Sequence, residues 1–335
     1  MPKFTAKRVQ MGRLLSLMAV ALIGALGFND ASAQQFPARG RSITIVVGFA
    51  AGGGHDIMAR GLANEMTKIL KTPVIVENRT GAGGAVSVIS VAKADPDGYT
   101  LLFNSLSELA VRQSIEKVPY DLDRDLAPIS LVGVTPIGIV VHNSVPAKTL
   151  AEFKAFAKSQ PTPVIYGSPG VGTLQHFAGE ALRYKFDVPL QHIPYRGGAP
   201  LASDLAGGHV VAAMSGLPPL IPLLESGTVR LIATSSTKRS QLTPDVPSFA
   251  EAGITGVDIA NYVGLAAPKN TPPETLRVLE AACLEASKST EMAVAFKKSF
   301  STVIGSSTKE FVDFIDAERV RQTELIRETG FKIAE

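Results

Sequence analysis

The chain of 335 residues contains a single cysteine, Cys283, and this scarcity excludes two kinds of stabilisation. An intrachain disulfide needs two cysteines, and a zinc site built on thiolates needs several. Cys283 lies four residues after Leu279 and seven after Leu276, an apolar spacing that is typical of one helical face. We therefore predict a buried cysteine that packs as a small hydrophobic side chain.

Motifs for nucleotides and metals are also missing. Gly48 and Gly53 have P-loop spacing, but Gly54 and His55 stand where the motif needs Lys and then Ser or Thr. The Gly81-x-Gly83 turn has Val86 where a dinucleotide fingerprint needs a small residue. The five histidines show no paired metal-ligand spacing. We expect no metal and no cofactor.

The first 33 residues have the pattern of a cleaved export signal. Four basic side chains precede an apolar run of about fifteen residues, shorter than the roughly twenty of a membrane span, and Ala31-Ser32-Ala33 is a small-x-small cleavage pattern. Cleavage would leave Gln34 first, with no cysteine for lipid attachment. Residues 1–33 carry a net charge of +3, equal to that of the whole chain, so the mature protein is near neutral. A neutral chain without a basic patch gives no electrostatic case for nucleic acid.

The remaining length predicts two α/β domains. Ile43–Val47 is a β-branched run typical of a strand buried on both faces. Two further strands, around Val74–Val76 and Tyr99–Phe103, alternate with helical patterns, which predicts a parallel βαβαβ unit. The same pattern restarts near residue 136. We predict one lobe from residues 34–135 plus 236–335, and a second lobe from residues 136–235 inserted into it.

Glycine-rich loops follow several of the predicted strands and precede helices. Open parallel sheets bind ligands at this position. The first N–H groups of a helix lack intrahelical partners and attract anions, and glycines let a ligand approach the backbone. Gly48–Gly54 and Gly81–Gly84 would lie in one lobe and Gly167–Gly172 in the other. We predict that these loops face each other across a cleft.

A hydrolase with Ser168 as nucleophile and His176 as base is a competing interpretation. The nucleophile elbow of such enzymes has glycine two residues before the serine, where this chain has Tyr166. We therefore interpret Ser168 as a hydrogen-bonding group and His176 as a residue that orients the loop or contacts the ligand. No catalytic residue is predicted.

These segments, taken together, resemble the tripartite tricarboxylate transporter receptors, the Bug family of periplasmic binding proteins. The matching segments span most of the chain after residue 44 and are Ile45–Asp56, Val76–Gly84, Asp97–Leu101, Gly167–Thr173 with His176, Pro194–Gly197, Asp204–Gly208, Asp245–Gly253 and Gly264–Pro268. The resemblance implies an α/β, two-lobed type II periplasmic binding fold, in which each lobe is a mainly parallel sheet flanked by helices and the lobes close like a Venus flytrap.

The resemblance also implies where a ligand is held, chiefly by backbone N–H groups, hydroxyls and ordered waters. Carried over position by position, the ligand-binding residues would be Phe49, Ala51, Gly52, Gly53, Asp56, Ser105, Ser168, Gly170, Thr173, His176, Tyr195, Arg196 and Gly197. Asp56 is expected to cap its helix or orient the glycine loop, because a carboxylate would repel an anionic ligand. His55 and Tyr262 depart from the residues usual in the family, and the ligand's identity stays open.

The predicted function is a periplasmic receptor that captures a small carboxylate-containing solute, such as an organic acid or an amino acid, and delivers it to the permease subunits of a tripartite transporter. We expect a monomer that performs no chemistry on the ligand. Two alternatives stay open, a sensing subunit for a periplasmic signalling partner and, more remotely, a periplasmic hydrolase that uses Ser168.

Overall fold

A computed structural model describes residues 36–329, except residues 116, 237, 241, 256 and 299. The predicted export signal, residues 1–33, lies outside the described residues. The strands are β1 (Ile43–Val47), β2 (Val74–Asn78), β3 (Thr100–Asn104), β4 (Leu126–His142), β5 (Val164–Ser168), β6 (Leu190–Pro194), β7 (Ala212–Gly216), β8 (Val229–Thr234), β9 (Ala260–Pro268) and β10 (Thr302–Val303). Strands β1, β2 and β3 confirm the predicted alternation of strands with helices between residues 43 and 104.

The helices flank this sheet. They are α1 (Gly54–Leu70), α2 (Ala85–Ala92), α3 (Leu106–Ile115), α4 (Leu122–Asp125), α5 (Leu150–Ser159), α6 (Leu174–Lys185), α7 (Gly198–Ala206), α8 (Ile221–Glu225), α9 (Pro273–Ser287), α10 (Thr290–Lys298) and α11 (Thr308–Thr329), with short 3-10 turns at Ala82–Gly84 and Pro218–Leu220. Local sequence signals account for several helix starts. Thr149 and Glu152 form a capping box at the start of α5, and Pro272 precedes α9.

The strands form one curled mixed sheet in the order β2-β1-β3-β9-β4-β7-β5-β6, with β8 and β10 also paired to β4. Strands β2, β1 and β3 pair in parallel, and so do β6, β5 and β7. We call β1, β2, β3, β9, β10 and the start of β4 the first half of the sheet, and β5 to β8 with the end of β4 the second half. The parallel strands lie in the outer part of each half, as the α/β prediction requires.

The 17-residue strand β4 joins the two halves and was not predicted at this length. Its first part pairs antiparallel with β9, and its last part pairs antiparallel with β7 and β8. The sequence pattern restarts only near residue 136, because the residues before it mix apolar and polar side chains. Strand β6, which pairs in parallel with β5, carried no strand prediction. Both β4 and β6 form by pairing with strands from other parts of the chain, so local sequence patterns do not reveal them.

Apolar side chains fill the space between the sheet and its helices in both halves. In α1, Met58, Leu62 and Met66 form an apolar stripe that is fully buried. In the second half, Phe153 and Tyr166 belong to a larger cluster. Cys283 is buried on α9, as predicted, and burial raises the pKa of its thiol to about 12.

The described residues from Arg39 onward form one compact unit that contains every described strand and helix. The predicted lobe boundaries, at residues 135/136 and 235/236, fall inside β4 and directly after β8. The assignment of 34–135 plus 236–335 to one lobe and 136–235 to the other stays a prediction. Within the described part of the chain, no helix is both long enough and apolar enough to cross a membrane.

Candidate ligand-binding site between glycine-rich loops

The loop between β1 and α1 is shaped by close packing. An added Cβ on Gly48 would lie 2.7 Å from Ser87 Oγ and 2.9 Å from Gly84 Cα, so only glycine fits at this position. Gly53 then occupies the N-cap position of α1 and provides no side chain to cap it. The first N–H groups of α1 therefore lack a capping side chain, which favours an anion or another hydrogen-bond acceptor near this helix end.

Asp56 holds this loop in place. Its carboxylate accepts hydrogen bonds from Gly52 N at 2.9 Å and Asn78 Nδ2 at 3.0 Å, and it forms an ion pair with Arg60 at 2.9 Å. Burial by itself raises the pKa of Asp56, but the bonds from Arg60, Gly52 and Asn78 together bring it below its usual value. Asp56 is thus a charged anchor for the glycine loop, one of the two roles that we expected for it.

The second glycine loop, Gly81–Gly84, also belongs to the first half. Gly81, Gly83 and Gly84 all have positive φ angles, and a Cβ on Gly83 would meet Arg112 Nη1 at 2.6 Å and Val171 O at 2.9 Å. Arg112, on α3, donates a hydrogen bond to Ala82 O at 2.8 Å. Its guanidinium therefore lies beside the loop, close to where the loop approaches the second half.

The β5–α6 loop of the second half is held by its own hydroxyl groups. Thr173 caps α6 by accepting from His176 N at 3.2 Å, and its hydroxyl donates to Gly170 O at 2.8 Å. Ser168 Oγ also contacts Gly170 and lies 2.7 Å from His192 Nε2. Ser168 is fully buried. Its histidine partner is thus His192, and not His176 as the hydrolase interpretation assumed.

His176 and His192 stack on each other behind this loop, with ring centroids 3.7 Å apart. Burial lowers the pKa of His176 to about 4, and burial together with the neighbouring His176 lowers the pKa of His192 to about 3. His176 Nδ1 accepts from Gly172 N at 3.2 Å. Both rings are therefore neutral near pH 7, and the pair supports the loop as a hydrogen-bonded, stacked unit.

The β6–α7 loop brings the two halves into contact. Tyr195 Oη donates to Asp204 at 2.8 Å, and burial together with this carboxylate raises the Tyr195 pKa to about 12. Gly197 has a φ of +124°, and a Cβ there would lie 3.1 Å from Ala50 N in the first-half loop. Glycine at this position lets the β6–α7 loop reach the β1–α1 loop.

A buried glutamate adds a further contact between the halves. Glu108 on α3 accepts a hydrogen bond from Leu174 N, at the first turn of α6. Burial raises the Glu108 pKa to about 8, against the smaller opposing effects of that bond and of Arg112. Burial therefore favours the protonated form of Glu108, while the N-terminus of α6 favours the ionised form.

An outer cavity of about 300 Å³ lies between these loops. It is lined by Gly48, Phe49, the Gly81–Gly84 loop, Arg112, Pro169, Gly170, Val171, Pro194, Tyr195 and Arg196. Both halves contribute, as predicted for a cleft. The only charged side chains among these lining residues are two arginines, so the cavity has a positive electrostatic character.

An inner cavity of about 20 Å³ lies next to the outer one and shares Phe49 and Pro169 with it. It is lined by Phe49, Gly53, Gly54, His55, Thr135, Pro169, Gln175, Gly198, Ser215, Gly216, Pro218, Pro219 and Asn261. These residues come from both halves and from the joining strands β4 and β9. None of them is Asp, Glu, Lys or Arg, so this cavity combines largely apolar walls with a few uncharged polar groups.

The predicted site residues fall into two groups. Phe49, Gly170, Tyr195 and Arg196 line the outer cavity, and Phe49 and Gly53 line the inner one. The remaining predicted site residues are not among the residues that line the two cavities in the described part of the chain. They are Ala51, Gly52, Asp56, Ser105, Ser168, Thr173, His176 and Gly197. The contacts described above make Asp56, Ser168, Thr173 and His176 supports of the loops, while Ser105 is buried. Their direct contact with a ligand stays a prediction.

Sequence reasoning missed two residues that the fold brings to the cavities. Arg112 sits on an ordinary amphipathic helix, and the only signal was its position four residues after Glu108. Asn261 lies in β9, in a segment that carried no strand prediction. It is buried, with 3% of its surface exposed. Among the described residues, no cluster of three or more His, Cys, Asp or Glu side chains is placed to hold a metal.

Comparison with known proteins agrees with this geometry. The chain matches the family model described as the tripartite tricarboxylate transporter family receptor over residues 58–331. It is 33% identical to protein BugT of Bordetella pertussis over 327 residues, which are 97% of this chain and 100% of BugT. Its fold superposes on the adipate-bound Rpa4515 protein of R. palustris with a TM-score of 0.83 and 28% identity, over 87% of this chain and 98% of that one. It superposes on malate-bound MatC of Rhodopseudomonas palustris with a TM-score of 0.80 and 27% identity, over 86% and 99% of the chains.

The curled mixed sheet with a cleft between its halves, together with solved neighbours that include the periplasmic binding protein BugD, defines a solute-binding protein of the two-lobed periplasmic type. This confirms the predicted fold class. The chain belongs to the tripartite tricarboxylate transporter family receptors, the family that includes BugT, as its sequence motifs indicated.

Proposed function

We propose that this protein is a periplasmic receptor that binds the carboxylate of a small organic acid in the outer cavity and presents the closed complex to a membrane permease. The observation that carries the proposal is the outer cavity itself, where glycine loops from both halves meet beside Arg112 and Arg196. Adipate and malate, bound by two structural neighbours, are ligands of this chemical class.

The backbone and the charged groups around the outer cavity favour an anionic ligand. Backbone N–H groups in glycine loops approach a ligand closely, and charge-assisted hydrogen bonds to carboxylates are stronger than neutral ones. Arg196 is exposed and lines the rim. Arg112 is partly buried and also supports Ala82. We assign Arg196 to attracting and contacting the carboxylate, and Arg112 to holding the loop and adding positive potential.

The proposal includes no reaction of the ligand. Ser168, the nucleophile of the alternative hydrolase, is fully buried and is bonded to His192 and to the Gly170 backbone. The family is one of binding proteins. A ligand recovered unchanged after long incubation with the protein is the expected result, and turnover would contradict this part of the proposal.

Location and partner follow from the same proposal. Residues 1–33 carry a basic segment, an apolar run and a small-residue cleavage pattern, which support export to the periplasm. Membership of a transporter receptor family supports a permease as partner. Cell fractionation and N-terminal sequencing test the first point. Ligand-dependent binding to reconstituted permease subunits tests the second, and binding to a signalling protein instead would favour a sensing role.

Calorimetry and thermal unfolding with mono-, di- and tricarboxylates, amino acids and aromatic acids test ligand binding. A ligand at a hundred times its dissociation constant should stabilise the native state by about 2.7 kcal/mol. Arg196→Gln should weaken the best ligand roughly 10-fold, since bonds to charged groups contribute about 1.5–3 kcal/mol. Arg277→Gln, at an exposed arginine of α9, is the matched control. A panel without any binder, or wild-type affinity in Arg196→Gln and Arg112→Gln, would contradict the proposed site.

A further inference from the structure

The inner cavity contains two buried polar atoms that lack partners. His55 Nε2 and Asn261 Oδ1 each have no hydrogen bond within the described part of the chain. The two residues come from α1 and β9 and line the same small cavity. His55 is 6% exposed and Asn261 is 3% exposed. Leaving one such group unpaired costs about 1–3 kcal/mol, so two in one cavity indicate that something else binds there.

The other polar groups of this cavity make the contrast clear. Thr135 Oγ1 lies 2.9 Å from Ser301 Oγ, and Ser215 Oγ donates to Gly216 O at 2.9 Å. His55 is held in place by stacking on Phe49, with centroids 4.3 Å apart. Stacking therefore positions the His55 ring, while its Nε2 and Asn261 Oδ1 have no hydrogen-bond partner among the described residues.

The chemistry of the walls restricts the occupant. A volume of about 20 Å³ leaves room for a small group such as a water or a hydroxyl group. Asn261 Oδ1 only accepts hydrogen bonds, so the occupant must donate one. A carboxylate has no proton to donate to Asn261 Oδ1. An ammonium would meet the positive ends of α1, α6 and α7, whose first-turn residues Gly54, Gln175 and Gly198 line the cavity.

We propose that the inner cavity is a specificity subsite for one hydroxyl group of the ligand, which donates to Asn261 Oδ1 and hydrogen-bonds to His55 Nε2. The receptor then selects hydroxy acids over the corresponding acids without the hydroxyl. Phe49 and Pro169 border both cavities, so a ligand with its carboxylate in the outer cavity has the inner one within reach. This inference rests on the proposed binding of carboxylates.

His55 suits this role over a wide pH range. Burial lowers its pKa to about 3, so the ring is neutral at ordinary pH values. A neutral imidazole can either donate to or accept from a hydroxyl group through Nε2. The buried position also means that His55 is neither a solvent-facing residue nor a charge that changes between pH 5 and 8.

Calorimetry with matched acid pairs tests the inference on the purified protein. Suitable pairs are lactate and propionate, malate and succinate, and 4-hydroxybenzoate and benzoate. In the pair whose carbon skeleton fits, the hydroxy acid should bind roughly 10–100-fold more tightly, the range expected when buried polar groups lose their partner. His55→Phe and Asn261→Leu keep shape and remove the polar atoms. In both variants the ratio should fall toward one, with the affinity for the acid without the hydroxyl retained.

Controls separate this result from other causes. His209→Phe and Asn64→Leu make the same changes at exposed positions and should leave the ratio unchanged. Without ligand, both cavity variants should be at least as stable as wild type, because an unpaired buried group has been removed. If a carboxylate binds but the ratio is one in wild type, or survives in both variants, the subsite is wrong and the proposed function stands. Lower stability of both variants with an unchanged ratio would assign the cavity to a permanent structural water, and no carboxylate binding would overturn both proposals.

Discussion

Glu108 offers a sharp test of the contact between the two halves. In the native state its carboxyl group is buried on α3 and accepts a hydrogen bond from Leu174 N, so its pKa rises to about 8 from an ordinary value of 4.5. In the unfolded chain the proton leaves near pH 4.5. Between these two values the native state binds more protons than the unfolded state, so stability decreases as pH rises. The contribution is fully present below about pH 4.5 and is lost through pH 8.

The size of the effect follows from the pKa difference. A tenfold change in an equilibrium constant corresponds to about 1.4 kcal/mol, so full ionisation of Glu108 in the native state would cost on the order of 5 kcal/mol. This is an upper limit, because water entry or a small separation of α3 from α6 would relieve part of the cost. Glu108→Gln keeps a hydrogen-bond acceptor for Leu174 N and cannot ionise.

Urea unfolding of wild type and Glu108→Gln, measured at intervals from pH 4.5 to 9, isolates this contribution. The free energy of unfolding of wild type, measured relative to that of Glu108→Gln, should fall by a few kcal/mol as the pH rises across this range. For Glu285→Gln, at an exposed glutamate of α9, the free energy of unfolding should vary with pH as it does in wild type. Parallel curves for wild type and Glu108→Gln would refute the reasoning, because they would mean that Glu108 ionises alike in the native and unfolded states.

Two further predictions concern packing. Gly179→Ala would place a Cβ 2.3 Å from the ring of the buried Tyr166, so we expect a loss of about 1–3 kcal/mol in urea unfolding. An increase in stability of about 1 kcal/mol, which helix propensity alone favours, would contradict this packing. Cys283 should not react with a thiol reagent until the protein unfolds, because its side chain is buried and burial raises its pKa to about 12. Rapid labelling of the native protein, followed by absorbance, would show that α9 is packed differently.

The assignments to individual loops depended on local signals to different degrees. The capping box of Thr149 and Glu152 could be identified from four consecutive positions, and the structure shows both of its hydrogen bonds. The Gly48–Gly54 loop was predicted to face a cleft, and in the structure its Phe49, Gly53 and Gly54 line the cavities. The partner of Ser168 could not be identified from local signals. Its partner, His192, lies 24 residues away on the neighbouring strand, so the nearer His176 was the more obvious choice.

The sequence by itself determined the elements whose causes are local: the β-branched run of β1, the helix caps, the glycine turns and the apolar stripe of α1. These depend on the conformational preferences of neighbouring residues and on burial patterns of period two or 3.6. Only the tertiary structure decided that β4 runs through both halves, that Arg112 lies beside the outer cavity, and that His55 and Asn261 share the inner one. The physical reason is that these are contacts between residues far apart in the chain, fixed by strand pairing and packing, and no pattern within one segment records them.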